Sequence, residues 1–217
     1  MSEELRARLR ALASFPADVP HFDPDAAPTE PVALFLAWLD EAVRAGVLAP
    51  HAATLATADA SGPSARVLIL KDVGPEGWQV ATPADSRPGH AMAASGRAAL
   101  TFFWPALGRQ VRIEGEVRRA SDAEAAADFL ARPADARATA LVGRPRPVLE
   151  GDAEYAEARA EALARVGEAA ETVPENWALW SIAPGTVEFW QAAHDRAHVR
   201  LRYRADGAEW VRERLWP

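Results

Sequence analysis

Arg66-Val67-Leu68-Ile69-Leu70-Lys71 is the stretch on which the reading of this chain turns. Four apolar residues rich in strand formers sit between two cations, so residues 64–73 read as a β-strand rather than a helix. Turn chemistry brackets that strand, with Ala60-Ser61-Gly62 before it and Gly74-Pro75-Glu76-Gly77 after it, which places antiparallel partners at 53–58 and 78–82. Lys71 is the single lysine among 24 lysines and arginines. Drift toward arginine can leave one lysine behind by accident. A compact ammonium on a flexible stem also serves as a point charge for a phosphate where a planar guanidinium does not fit, and we read Lys71 in that second sense.

Working outward, alternation predicts further strands at 98–104, 109–119, 178–182, 187–191, 198–204 and 209–215, the last two joined at Asp206-Gly207. Helices are expected at 2–12, at 86–94, at 134–142 and at 152–166. Another begins at a Thr29 cap, carries Val32, Phe35, Leu36, Leu39 and Val43 on one face, and stops at Gly46. Ser121 with Glu124 forms a capping box for a helix reaching Arg132 before Pro133. Residues 15–28, rich in proline and aspartate, read as an irregular arm. Many short strands with helices between them favour a barrel with flanking helices over a parallel doubly wound sheet. We expect an arm at 1–28 and one domain at 29–217.

A net charge of -7 argues against a nucleic-acid or anionic-membrane surface, so an anionic ligand has to be gripped locally. The chain has no cysteine, and hence neither disulfides nor thiolate metal sites. No signal-peptide core and no 18-residue apolar run occurs, so a soluble, cytoplasmic protein is expected. Walker and dinucleotide glycine loops and the Gly-x-Ser-x-Gly elbow are missing. His194 and His198 are four apart, but in a turn entering a strand rather than on the helix a metal-binding pair at that spacing needs. What remains is a set of arginines at strand ends and loop starts: Arg66, Arg87, Arg109, Arg132, Arg196 and Arg200. Each alone is weak evidence, since most arginines are solvated.

Taken together, several segments resemble the pyridoxamine 5'-phosphate oxidase family. They are the Arg66–Lys71 run, Thr82 with Ser86-Arg87, Trp104 followed by Arg109-Gln110-Val111-Arg112-Ile113-Glu114-Gly115, Phe129-x-x-Arg132-Pro133, and Glu188-Phe189-Trp190-Gln191 leading to Arg196-x-His198-x-Arg200. The resemblance covers 31–217. It implies a mainly β chain with helices: an FMN-binding Greek-key split β-barrel of six or more strands with flanking helices, whose C-terminal part serves dimerisation and substrate binding. It further implies a homodimer with FMN at the subunit interface, and an oxidase passing a hydride from a small heteroaromatic substrate to flavin and then to O2.

By the same resemblance FMN is held by Arg66, Val67, Leu68, Ile69, Leu70, Lys71, Thr82, Ser86, Arg87, Gln110, Trp190 and Arg200, with Arg146 replacing a charge that Pro88 removes. A flavin phosphate needs fixed cations, and the ring system needs apolar walls and a few edge donors. Gln110 reads as an edge donor or as an exposed strand-end residue. Trp190 reads as a flavin contact or as a core aromatic. Arg196 and His198 are implied as the catalytic pair that orients substrate, and Lys71 and Arg132 as the cations on its phosphate. The chain departs from the family pattern with Asp128 and Ala136 where a tyrosine and a serine are expected, and with Ala81, Pro88 and Pro145 near the flavin residues. Asp128 is four residues before Arg132 and is expected to pair with it along one helix. The nominal activity is oxidation of pyridoxine or pyridoxamine 5'-phosphate to pyridoxal 5'-phosphate with a diverged substrate. Oxidation of reduced phenazine-type precursors and non-catalytic flavin binding are the alternatives.

Overall fold

The computed structural model describes residues 3–143, 148–169 and 171–217. Its strands are β1 (Ala52–Asp59), β2 (Gly62–Gly74), β3 (Gly77–Ala81), β4 (Arg97–Trp104), β5 (Arg109–Arg119), β6 (Leu179–Gln191), β7 (Val199–Asp206) and β8 (Glu209–Leu215). Their order in the sheet is β3-β2-β1-β4-β5-β6-β7-β8, and β3 also pairs with β6. The first six strands therefore close into an antiparallel barrel, with helices flanking it. Closure is the solution expected of a sheet that would otherwise leave two unpaired edges.

The helices are α1 (Glu3–Ala11), α2 (Pro31–Arg44), α3 (Arg87–Ser95), α4 (Asp122–Leu130), α5 (Ala134–Val142) and α6 (Asp152–Glu168). The Thr29 cap is not formed. Glu30 occupies the N-cap position without a side-chain cap bond, and Pro31 starts α2. A proline there sets φ for the helix and lacks only an N–H that would have been unsatisfied anyway. The capping box is present: Ser121 N donates to Glu124 Oε2 at 2.9 Å, and Glu124 N donates to Ser121 Oγ at 3.3 Å.

The strands expected at 178–182 and 187–191 are one strand, β6, running through Pro184 and Gly185. Its first part pairs with β3 (Leu179 opposite Ala81, Ile182 opposite Trp78), and its last part pairs with β7 (Thr186 opposite Arg204, Gln191 opposite Val199). The proline, which has no N–H to give a ladder, sits where the strand exchanges one partner for the other. Hairpin β7–β8 closes at Gly207 in the left-handed region, with Asp206 opposite Glu209.

Two compact units alternate along the chain. One comprises Met1–Ala52, Thr101–Ile113 and Thr186–Pro217, and the other Ala53–Leu100 and Glu114–Gly185. The first has an aromatic core in which Phe35 meets Phe102 at 4.9 Å, Trp38 meets Phe189 at 5.2 Å, and Phe189 meets Tyr203 at 5.7 Å. Tyr203 donates its hydroxyl to Pro28 O at 2.7 Å, anchoring the end of the arm. In the second unit Phe129 and Trp177 pack edge to face at 5.5 Å with Ala125 and Leu179 around them. Ala138, Ala162 and Val166 form a smaller cluster where α5 meets α6. No helix among the described residues is long and apolar enough to cross a membrane.

Candidate functional site

Along β2 burial alternates, so Arg66, Leu68 and Leu70 are half-buried while Val67 and Ile69 lie on the open face. Two large aliphatic side chains left 64% and 41% exposed on a strand give it an apolar wall without a covering layer of its own. The Arg66 guanidinium turns back under the strand. Its Nη1 donates to Leu55 O at 3.1 Å, Thr57 Oγ1 at 3.0 Å and Ser64 O at 3.2 Å, and Nη2 donates to Ser64 Oγ. Every one of these acceptors is neutral. Burial lowers the pKa of Arg66, the nearby Arg87 charge lowers it further, and Asp59 raises it.

Asp59 is committed elsewhere, since Arg87 Nε donates to its Oδ2 at 2.9 Å. That hydrogen bond is also the largest cause of the lowered Asp59 pKa. Arg87 begins α3, whose N-cap Ser86 accepts from Gly89 N at 3.2 Å and lies 3.1 Å from Thr82 Oγ1. A side chain at Gly89 would run into the carbonyls of Pro83 and Ala84, so glycine is what lets the loop close beneath the helix start. Two neighbouring guanidinium groups, one of them without an acidic partner, lie close to two hydroxyls at a helix N-terminus. That set suits a phosphate.

Further along β2 the pairing with β3 shifts register between Leu70 and Asp72. Lys71 therefore sits on a β-bulge, a device that re-aims a side chain out of the regular alternation. Its Nζ lies 3.5 Å from Asp128 Oδ1. Asp128 Oδ2 accepts from Trp177 Nε1 at 3.2 Å, and the Arg132 guanidinium lies over the Trp177 ring at 4.4 Å. The expected Asp128–Arg132 helical pair is not made. Helix α4 stops at Leu130 with Ala131 as its C-cap, so Arg132 is past the last turn and the carboxylate pairs with Lys71 instead. Burial lowers the pKa of Arg132, with the Asp128 charge opposing.

In the other unit Trp190 is half-buried on β6 rather than in the core. Its ring lies 4.8 Å from His198 and 5.6 Å from Phe15 of the arm. His198 Nδ1 accepts from Ala193 N at 3.0 Å, so a neutral ring carries its proton on Nε2 and presents a donor there. Arg196 is exposed with φ of 66°, a left-handed conformation that costs a non-glycine residue energy and clusters at functional sites. Phe15, His194, Arg196 and His198 line a cleft of about 430 Å³, and His194 Nε2 lies 2.7 Å from Ala17 O of the arm. Phe15 was not singled out from sequence. An aromatic within an arm of prolines and aspartates was the available signal.

Arg200 is held within the chain: its Nε donates to Glu188 Oε1 at 2.9 Å and its Nη1 to Trp216 O at 2.8 Å. Arg112 grips the other oxygen of Glu188 at 3.0 Å. Arg109 is 2% exposed and entirely structural in its contacts, donating to Gln191 Oε1 at 2.9 Å and Glu41 Oε2 at 2.6 Å beneath the Trp38 ring at 4.3 Å. Gln191 in turn donates to the carbonyls of Leu107 and Gly108, fixing the turn that enters β5. Gln110 is half-buried next to Arg109. Arg146 and Pro145 lie outside the described residues.

Residues 39–191 match the family model described as pyridoxamine 5'-phosphate oxidase, and 177–217 match the pyridoxine 5'-phosphate oxidase C-terminal dimerisation region, which indicates a homodimer. The chain is 42% identical over 194 residues to the pyridoxine/pyridoxamine 5'-phosphate oxidase of Pseudomonas paraeruginosa, covering 88% of this chain and 90% of that one. It is 42% identical over 191 residues to the enzyme of the same name from Thermosynechococcus vestitus, covering 87% and 89%. Among solved structures it resembles PhzG from Burkholderia lata 383 in complex with tetrahydrophenazine-1-carboxylic acid, with a TM-score of 0.86, 30% identity, and coverage of 94% of this chain and 100% of that one.

Proposed function

Because the chain belongs to the pyridoxamine 5'-phosphate oxidase family of FMN-dependent oxidoreductases, we propose that it is a cytoplasmic homodimeric oxidase of a small heteroaromatic substrate, with FMN at the subunit interface. Oxidation of pyridoxine or pyridoxamine 5'-phosphate is the nominal activity, on a substrate that has diverged. The observation that carries this reading is Arg66, a desolvated guanidinium with only neutral acceptors, beside Arg87 and the Ser86 start of α3. The residues present fit FMN. Arg66, Arg87, Ser86 and Thr82 hold its phosphate. The segment Val67, Leu68, Ile69, Leu70 and Lys71 supplies an apolar wall and backbone groups, and Gln110 donates to the ring edge. Trp190 and Arg200 are further residues assigned to FMN by the family resemblance, as is Arg146, which lies outside the described residues.

The chemistry supplied by bound FMN is acceptance of a hydride from the substrate and delivery of the two electrons to O2, giving H2O2. The chain itself positions and compensates charge. His198 donates Nε2–H to a substrate oxygen, and its Nδ1 bond to Ala193 N keeps the ring in that orientation. Arg196 orients the substrate ring, and Lys71 and Arg132 compensate the charge of its anionic group. Phe15 of the arm packs against Trp190 and His198. Residues 29–217 act as one split-barrel domain and residues 1–28 as an arm over the site. The test is the visible spectrum of purified protein, identification of the released flavin, and peroxide release with B6 phosphates. A colourless protein that takes up no FMN refutes the reading.

A further inference from the structure

We propose that Glu188 is a positioning residue for the redox step: it fixes the Arg200 guanidinium beside Trp190 and, with Arg112, sets the net charge that this sheet face presents to a bound flavin. The assignment of Trp190 and Arg200 to FMN is that of the oxidase reading, on which this rests. Glu188 and Trp190 are two apart on β6 and so share a face of the strand, and Trp190 is directly opposite Arg200 on β7. The residue directly opposite Glu188 is Arg202, but Arg202 is taken by Glu213 on β8, its Nε donating to Oε2 at 2.8 Å. Glu188 instead reaches diagonally to Arg200, whose Nε donates to Oε1 at 2.9 Å and whose Nη2 lies 2.9 Å from the same oxygen. Its other oxygen accepts from Arg112 Nη2 at 3.0 Å. Arg200 Nη1 donates to Trp216 O at 2.8 Å, so the guanidinium is held on two sides.

The Glu188 side chain is 6% exposed, against 28% for Arg200 and 42% for Arg112. A buried ion pair does little for stability that apolar packing would not do as well, so cohesion of the sheet is a poor account of a carboxylate here. Its charge is the better one. Glu188 neutralises one of the two guanidinium groups it touches, and the cluster keeps a single positive charge. A hydride carries two electrons and one proton, so its arrival adds one negative charge to the flavin. A fixed positive charge favours that reduced form. Without the carboxylate the cluster carries two positive charges, and without Arg112 it carries none.

The test is the two-electron midpoint potential of the FMN-loaded protein, measured by equilibration with a reference dye, for wild type, Glu188→Gln and Arg112→Gln. Glutamine at 188 keeps the length and one acceptor oxygen and removes the charge. It should raise the preference for reduced over oxidised flavin about tenfold, which is a rise of about 30 mV. Arg112→Gln should lower that preference about threefold, a fall of about 14 mV, the smaller shift because Arg112 is the more exposed and better screened. Opposite signs at two touching residues are what a charge effect produces, whereas loosening of the sheet gives both variants the same defect. Any other pattern, including a potential unmoved in either variant, overturns the inference. If Glu188→Gln does not fold, the fall in Arg112→Gln decides alone, and its absence is fatal. A wild type that takes up no FMN sinks the oxidase reading and this inference together; a wild type that binds FMN, with potentials indifferent to both substitutions, sinks this inference alone.

Discussion

Replacing Arg66 by methionine removes the cation at the α3 corner whose hydrogen-bond acceptors are all neutral. Arg87 is already paired with Asp59 at 2.9 Å, so much of the net positive charge offered to an FMN phosphate comes from Arg66. A charge-assisted hydrogen bond of this kind contributes about 1.5–3 kcal/mol, which corresponds to a rise in FMN Kd of roughly ten- to 150-fold. The same substitution strips the acceptors Leu55 O, Thr57 Oγ1 and Ser64 O of their donor, so stability and affinity have to be separated. Flavin fluorescence quenching gives Kd directly, and the melting temperature of FMN-free protein reports the structural part. Added FMN raises that temperature according to RT ln(1 + [L]/Kd), which gives an independent second value of Kd. Arg66→Lys keeps the charge but not the fork, and should fall between wild type and Arg66→Met. An FMN Kd within twofold of wild type in Arg66→Met, with the fold intact, would remove Arg66 from the phosphate site.

Arg196→Ala and His198→Ala should retain FMN with a near-normal spectrum yet slow anaerobic flavin reduction by substrate; loss of flavin in both would make these residues structural. Arg109→Met breaks the pair with Glu41 and orphans the Gln191 acceptor. Because Glu41 is 39% exposed, the loss should sit at the low end for a broken buried pair, about 3 kcal/mol, read from the urea midpoint. Burial pushes the Tyr203 phenol up to about 12, so the folded state holds a proton that the unfolded state releases near its ordinary value of about 10. The stabilisation from this group is fully present below pH about 10 and is lost as pH rises through 12. Wild-type stability should therefore fall over that alkaline interval by more than that of Tyr203→Phe, measured by denaturant unfolding at each pH.

The strand and helix pattern was legible because periodicity and turn chemistry are local. Residues 109–119 and 209–215 occur as expected, and the Ser121 capping box forms. Where reading failed, the deciding partner lay far away in the chain. The join of 178–182 to 187–191 into β6 depends on pairing first with β3 and then with β7, which no local window contains. Lys71 was legible as an unusual residue, but the bulge that re-aims it comes from register with β3. Asp128 was legible as a departure from the family pattern, and its partner was misjudged. The i, i+4 rule presumes a helix that in fact ends at Leu130.

The arginines show the same division in its sharpest form. In the sequence Arg66, Arg87, Arg109, Arg132, Arg196 and Arg200 stand out together as arginines at strand ends and loop starts. In a chain with 31 acidic and 24 basic side chains, most cations can find an internal carboxylate, and the structure gives one to three of the six. Arg87 has Asp59, Arg109 has Glu41 and Arg200 has Glu188. A cation already neutralised adds little to the binding of a further anion, since the incoming charge meets a near-neutral pair. Among the described residues Arg66 has neutral acceptors alone, and Arg132 has a buried Nη1 without a hydrogen bond and lies over the Trp177 ring. Arg196 is exposed on a left-handed turn. The three that remain fall at three separate places: the helix start proposed for the flavin phosphate, the corner proposed for the substrate anion, and the turn proposed to face the substrate ring. Arg87 and Arg200, though paired internally, still carry the N–H donors proposed for the flavin, so internal pairing separates the arginines that bring net charge to a ligand from those that bring hydrogen bonds alone.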